Sequence, residues 1–415
     1  MNGRRRCVIT GIGVISPLGN TLHDFYEALR RGESAIREMT EWENGPFENI
    51  CVPGSPVRLD ETMIRSIPRA SRRSMSRISL HASFAAQQAA ADAGLTPEDL
   101  KDPRTGCIIG STMGGTSAVS ESYHVLYGGG GLSEMPAMQF FKSVSHTAAF
   151  NVSHYLGITG VVQAPCAACA SALQAIGQAR DLVASGVQDV VLCGGAEELA
   201  PEVPGSFAVI SAGFSSGPGD DISRASRPFD ASRKGLVCGE GAGILVVESL
   251  DHALARGARI YAEITGYATC GCGNAISQSD APSIMRCLEA VCSDAGIGPA
   301  DVDYVNAHAT STLQGDRAEA EALTSFFPSR PPVSSLKGHI GHTLGASGSL
   351  ELAASLEMMR RSELLPTLNL ETPGEGCEKL DHVYQVTPKK LRRILKNSFA
   401  FGGINAAVIC TAFDS

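Results

Sequence analysis

The sequence predicts an α/β protein with a duplicated, five-layered helix–sheet–helix–sheet–helix architecture. Short apolar runs alternate with helical stretches, which is how buried sheets with crossover connections read. Four segments recur in the same order in the two parts of the chain. With 415 residues, 43% of them hydrophobic, the chain is also too long for a single pair of layers.

The first element is Cys7–Asn20, an apolar strand running into a glycine-rich turn, and Ala262–Asn274 repeats it. Arg4, Arg5 and Arg6 before it give a superficial look of a signal peptide. The apolar stretch is short, broken by glycines and Thr10, and lacks a small-x-small cleavage site, so it reads as a buried strand. Next, Asp92–Leu100 (DAGLTPEDL) matches Asp294–Val302 (DAGIGPADV); both follow an alanine-rich helical stretch and precede an apolar strand. Cys169–Leu173 is echoed by Gly345–Leu350, each opening a long helix, and Gly241–Val247 is echoed by Gly402–Val408. Fixed-order repetition implies two similar halves, 1–252 and 253–415, the longer one carrying insertions at about 112–160 and 197–235.

The net charge of −9 and the lack of a basic stripe argue against nucleic acid as a partner. No apolar run approaches the ~18 residues that a membrane span requires. Thirteen cysteines, an odd number in a long chain, read as reduced thiols and a cytoplasmic protein rather than a disulfide framework.

Three positions carry chemistry. Cys169 lies among small residues (Ala164-Pro165-Cys166-Ala167-Ala168-Cys169-Ala170-Ser171) just before a helical run. A helix N-terminus there stabilises a thiolate, so a lowered thiol pKa is expected. Cys166 and Cys169 have C-x-x-C spacing, but no second pair with zinc spacing accompanies them and the flanking residues of a thioredoxin are missing, so no metal or redox site is expected. His308 (NAHATST) and His342 (KGHIGHTLGA) each follow an apolar strand, at the carboxyl end where α/β sheets place ligands. His339 lies three residues from His342 without a convincing third metal ligand.

Together these motifs resemble the elongating β-ketoacyl-[acyl carrier protein] synthases of the thiolase superfamily. The resemblance spans nearly the whole chain. It also includes Ser226-Arg227-Pro228-Phe229-Asp230-x-x-Arg233-x-Gly235, Gly239–Gly243 (GEGAG) and Asn397–Gly403 (NSFAFGG). It implies a thiolase-like fold and decarboxylative Claisen condensation. By the match, Cys169 is the nucleophile, and His308 and His342 promote malonyl decarboxylation. The amides of Cys169 and Phe401 form an oxyanion hole. Lys337 supports the network with Glu351, and Asp316 is a further supporting position. Thr310, Thr312 and Ser279 bind the phosphopantetheine arm. Phe401 gates the acyl pocket on a loop freed by Gly402 and Gly403. No cofactor or metal is implied. The implied partners are an acyl carrier protein and a dimer mate, identical or a ketosynthase-like chain-length subunit.

Arg65, Arg69, Arg72, Arg73 and Arg77 occur without an intervening acid, and Arg69, Arg73 and Arg77 would share one face of a continuous helix. In the family this region docks the acidic carrier, so Arg69, Arg72 and Arg73 are the expected docking residues. Several positions depart from the usual pattern: Gln174 for histidine, Ala309 and Ala400 for glycine, Ile404 for threonine, and Asn274–Asp280 without the familiar Asp and His. These weaken a housekeeping assignment and are compatible with a specialised ketosynthase, so the resemblance implies a role in fatty acid or type II polyketide or polyene biosynthesis. The rivals are a non-catalytic chain-length subunit, which would lack Cys169, and a coenzyme A-dependent thiolase relative, which would not carry two histidines.

Overall fold

The computed structural model describes residues 4–42, 51–217, 219–273, 276 and 280–414. Of the eleven strands of the main sheet, five lie in the first half: β1 (Cys7–Ile15), β2 (Thr105–Gly110), β3 (Val162–Gln163), β4 (Val190–Glu197) and β5 (Gly241–Ser249). Six lie in the second: β6 (Ala262–Gly271), β7 (Tyr304–Asn306), β8 (Pro332–Ser334), β9 (Asp381–His382), β10 (Arg393–Ala400) and β11 (Ile404–Thr411). The first set runs β1-β5-β4-β2-β3 and the second β6-β11-β10-β7-β8-β9. In both, the first two pairings are antiparallel and the rest parallel. One short contact, Val8 with Glu263 and Ile9 with Ala262, joins the two sheets edge to edge.

Five helices set the layers: α1 (Arg77–Ala93), α2 (Ser171–Ala184), α3 (Ala281–Ala295), α4 (Leu313–Phe326) and α5 (Ser347–Arg361). Helices α2 and α5 pack between the sheets, and α1 and α3 cover the outer faces. The burial pattern follows from that position. Helix α5 is buried from Ser347 to Met359, as a helix covered on every side must be. It achieves this with small residues (SGSLELAAS). The outer helices approach their strands closely because glycine lines the contact: a Cβ on Gly13 would lie 1.8 Å from the Ala85 carbonyl of α1, and one on Gly266 2.6 Å from the Val291 carbonyl of α3.

The repeated sequence segments become repeated devices. Gly94 and Gly296 end α1 and α3 in the left-handed conformation, φ +70° and +67°, as helix C-caps. The carboxylates of Asp92 and Asp294 then accept from the Ile12 and Tyr267 amides of the strands beneath, at 2.9 and 3.0 Å. Helices α2 and α5 are both entered through one 3₁₀ turn, Ala168–Ala170 and Leu344–Ala346, whose first residues share φ near +47°. No helix among the described residues is long and apolar enough to cross a membrane.

Candidate active site

Those two turns meet between the sheets, and the candidate nucleophile lies where they meet. Cys169 is held in the first, where the Ser171 hydroxyl accepts from the Ala167 amide at 2.8 Å and donates to the Ala168 carbonyl at 2.7 Å. His342 immediately precedes the second. Its amide donates to Val237 and its carbonyl accepts from the Gly239 amide, which fixes the backbone to the neighbouring segment. The imidazole Nε2 lies 2.9 Å from Cys169 Sγ, and Nδ1 lies 2.8 Å from Ser347 Oγ. A hydroxyl can donate or accept, so Ser347 supports either tautomer of His342.

His308 follows β7 and stands edge-on to His342, with ring centroids 5.2 Å apart at 82°. Its position is set by a residue the sequence did not single out. Glu319 on α4 accepts from the His308 and Ala309 amides at 2.8 and 2.7 Å. Among the described residues His308 Nδ1 has no hydrogen-bond partner. A proton on Nδ1 would be a buried donor without an acceptor, which favours the tautomer with its proton on Nε2. The sulfur and ring nitrogens of Cys169, His308 and His342 all lie within 4.8 Å of one another.

Burial, not the helix dipole, governs the electrostatics. The sequence reading expects a lowered Cys169 pKa, but the side chain is 2% exposed and desolvation pushes the thiol up to about 12, with Lys337 pulling the other way. A helix N-terminus contributes ~0.3–1 kcal/mol, less than a tenfold change in acidity, and it loses to full burial. The resting sulfur is a neutral thiol whose proton has an acceptor in His342. Both imidazoles are held well below the usual histidine range, by desolvation first and then by the buried lysines nearby. They are neutral at pH 7.

Lys337 Nζ lies 2.6 Å from Glu351 Oε1, both fully buried. Asp316 sits outside the cavity: it accepts from the Phe229 amide at 2.8 Å and faces Arg233 at 3.8 Å, so it braces the wall behind the Thr310–Thr312 loop. Thr310 and Thr312 line a cavity of about 550 Å³ with Cys169, His308, His342 and Phe401, and their hydroxyls are 3.1 Å apart. Ser279 lies outside the described residues. Phe401 packs on Phe207, a second residue the sequence did not single out, with centroids 5.5 Å apart. A second, more apolar cavity of about 570 Å³ opens beyond Phe207, lined by Val52, Pro201, Phe214, Leu236 and Cys238. Gly402 and Gly403 take φ +88° and +70°, which the turn requires and a side chain resists.

His339 turns away, its Nδ1 2.9 Å from the Glu33 carbonyl. Cys166 is exposed, 3.3 Å from the Thr112 carbonyl, and all thirteen cysteines are free of disulfides. The arginine cluster differs from the expected continuous helix. Arg69–Arg72 form one short turn, and α1 starts only at Arg77. Between them the chain bends to bury Met75 and to place Ser74 Oγ 2.6 Å from Asn151 Oδ1. Arg77 Nε then donates to the buried Glu240 at 2.8 Å, and Arg65 pairs with Glu61. Arg72 donates to the Ile64 carbonyl at 2.8 Å, which leaves Arg69 and Arg73 exposed without an ion pair among the described residues.

Comparison with known proteins decides the family. The N-terminal domain model of β-ketoacyl synthases matches residues 4–253 and the C-terminal domain model residues 261–371. The chain belongs to the β-ketoacyl synthase family. It is 36% identical to 3-oxoacyl-[acyl-carrier-protein] synthase 2 of Coxiella burnetii over 99% of this chain and 100% of that one. A β-ketoacyl synthase from Burkholderia phymatum superposes with a TM-score of 0.93 at 37% identity, covering 99% of this chain and 100% of that one. The ishigamide ketosynthase/chain length factor superposes with a TM-score of 0.91 at 30% identity, with the same coverage. These β-ketoacyl synthases share the thiolase-like fold described above.

Proposed function

We propose that this chain is a 3-oxoacyl-[acyl carrier protein] synthase that joins an acyl group to malonyl-carrier protein by decarboxylative Claisen condensation. The observation that carries the reading is Cys169 Sγ at 2.9 Å from His342 Nε2, with His308 edge-on beside it in one cavity. In the first half-reaction His342 takes the Cys169 proton as sulfur attacks the acyl thioester. The leaving pantetheine thiolate takes that proton back, so a Cys169 thioester and a free carrier thiol result. In the second, His308 and His342 donate N–H bonds to the malonyl thioester oxygen. The C–CO₂ bond breaks, carbon dioxide leaves, and the enolate is stabilised. Its carbon attacks the Cys169 thioester, whose oxyanion lies against the amides of Cys169 and Phe401. Collapse releases the β-ketoacyl thioester and a Cys169 thiolate, which takes one proton from solvent.

Two neutral imidazoles suit this task, because imidazolium could not accept the thiol proton. Residues 1–252 and 253–415 act as the two halves, the first supplying Cys169 and the second both histidines. Thr310, Thr312 and Ser279 hold the pantetheine arm, with Lys337, Glu351 and Asp316 as supports. The acyl chain passes Phe401 and Phe207 into the second cavity, whose apolar lining supports that assignment. No metal or redox cofactor takes part; malonyl decarboxylation drives the bond formation. Arg69, Arg72 and Arg73 receive the carrier, with Arg69 and Arg73 as the exposed charges. The enzyme works in the cytoplasm as a dimer, and the likeness to a ketosynthase/chain length factor pair supports a divergent mate in a specialised pathway. Cys169 argues against the chain being the non-catalytic member.

Separating the half-reactions tests this. The His308→Ala protein should still acylate Cys169 but release carbon dioxide from malonyl-carrier protein at least 100-fold more slowly. Unchanged decarboxylation would overturn the assignment.

A further inference from the structure

Strand β10 has one charged side chain in its interior, Lys396, and it is fully buried. Register places it beside Asn306 of β7, two residues before His308. Its Nζ lies 2.5 Å from Glu351 Oε2 and 3.4 Å from the Ala307 carbonyl. Lys337 occupies the other oxygen of the same carboxylate. One buried anion is thus clamped between two buried ammonium groups, directly behind the loop that presents His308. Burying an ion costs several kcal/mol even after relaxation, and Lys337 alone already balances Glu351. The other acid that acts on Lys396 is Glu319, whose carboxylate the His308 and Ala309 amides already engage.

Resting on the condensation reading above, we propose that Lys396 is a positioning residue of the reaction: its buried positive charge, clamped to Glu351 behind the His308 loop, keeps His308 and His342 neutral. The titratable groups that interact with it are Glu351 from α5, Lys337 from its own turn, Glu319 from α4 and the two imidazoles. Glu319 is engaged by the His308 and Ala309 amides. Lys396 opposes protonation of both histidines, after desolvation and Lys337, and at His308 after His342 as well. Desolvation brings its own pKa down to about 8, so the charge is present at neutral pH and fades above it.

The test compares Lys396→Met and Lys396→Gln, which remove the charge, with Lys396→Arg, which keeps it. Decarboxylation of malonyl-carrier protein is followed from pH 5 to 9, and the histidine ring signals are titrated by NMR without substrate. In the neutral variants the acid limb and the His308 and His342 titrations should move up by about one pH unit. On the acid limb, at pH values below both titrations, those variants should then lose about tenfold more activity, relative to pH 8, than the native protein. Lys396→Arg should keep the native profile. Folded neutral variants with unmoved titrations would overturn the proposal. So would neutral variants that fail to fold while Lys396→Arg folds, since that marks a structural lysine. Native protein without decarboxylation, but with shifted titrations in the variants, would count against the condensation reading alone.

Discussion

Replacing Glu319 gives the sharpest test of how the histidine is held. Its two oxygens accept the His308 and Ala309 amides at 2.8 and 2.7 Å inside a fully buried site. Removing both acceptors by Glu319→Ala orphans two buried donors at about 1–3 kcal/mol each, or about 2–6 kcal/mol together. That is a large share of an ordinary folding free energy of about 5–15 kcal/mol. Glu319→Gln is the better probe, since it keeps one acceptor and sacrifices one bond, about 1–3 kcal/mol. The freed loop lets His308 drift, and a 1 Å displacement costs on the order of 100-fold in rate. We expect a lowered urea midpoint and elongation slowed about 10- to 100-fold, with acyl loading of Cys169 retained because His342 is held elsewhere. The reasoning fails if Glu319→Gln keeps the native midpoint and elongation rate, or if loading and elongation fall equally.

Three further expectations rest on the same buried groups and exposed charges. Because burial holds His308 and His342 well below the unfolded value of 6.5, the unfolded chain binds more protons in that window. The histidine contribution to stability should be fully present above about pH 7 and decline as pH falls below 6.5, with buried His81 and His339 adding to it and with Glu197 and Asp316, raised by burial to about 7, opposing it; a His308→Ala, His342→Ala double variant whose urea midpoint keeps the native change from pH 7 to 5 contradicts this. Phe207→Trp narrows the passage beside Phe401, so the longest acyl groups that load native Cys169 should load at least 10-fold less well, and an unchanged acyl-chain panel would place the chain elsewhere. Reversing both exposed charges with Arg69→Glu and Arg73→Glu should raise KM for the carrier protein about tenfold at low salt with kcat unchanged. The difference should shrink near 0.5 M salt (about a 4 Å screening length), and an unmoved KM would put docking on another face.

The sequence was most legible where local geometry repeats. The Asp92 and Asp294 segments, the glycine caps and the Cys169 and Gly345 turns are local devices, and each reappears as the same piece of backbone in both halves. That Cys169, His308 and His342 share one site was legible because each sits among small residues at a strand end. The second tier was harder to read. Glu319 works through backbone amides 11 and 10 residues away, and no side-chain pattern announces that. Lys396 was not singled out in the sequence: it is one charge within a strand (RILKNSFA), and its meaning depends on Glu351, 45 positions earlier in the chain. The thiol's acidity went the wrong way because a helix N-terminus can be read from sequence but complete burial cannot. The arginine spacing suggested one helix, and the need to bury Met75 beside Ser74 and Asn151 broke it into two.

The most direct test of the central claim is intact-protein mass spectrometry of the purified chain, first with acyl-carrier proteins of graded length and then with malonyl-carrier protein. The account predicts an acyl adduct on Cys169, absent from Cys169→Ala, that disappears as a β-keto product two carbons longer is released. An adduct that persists in Cys169→Ala, or no adduct with any carrier, would contradict it.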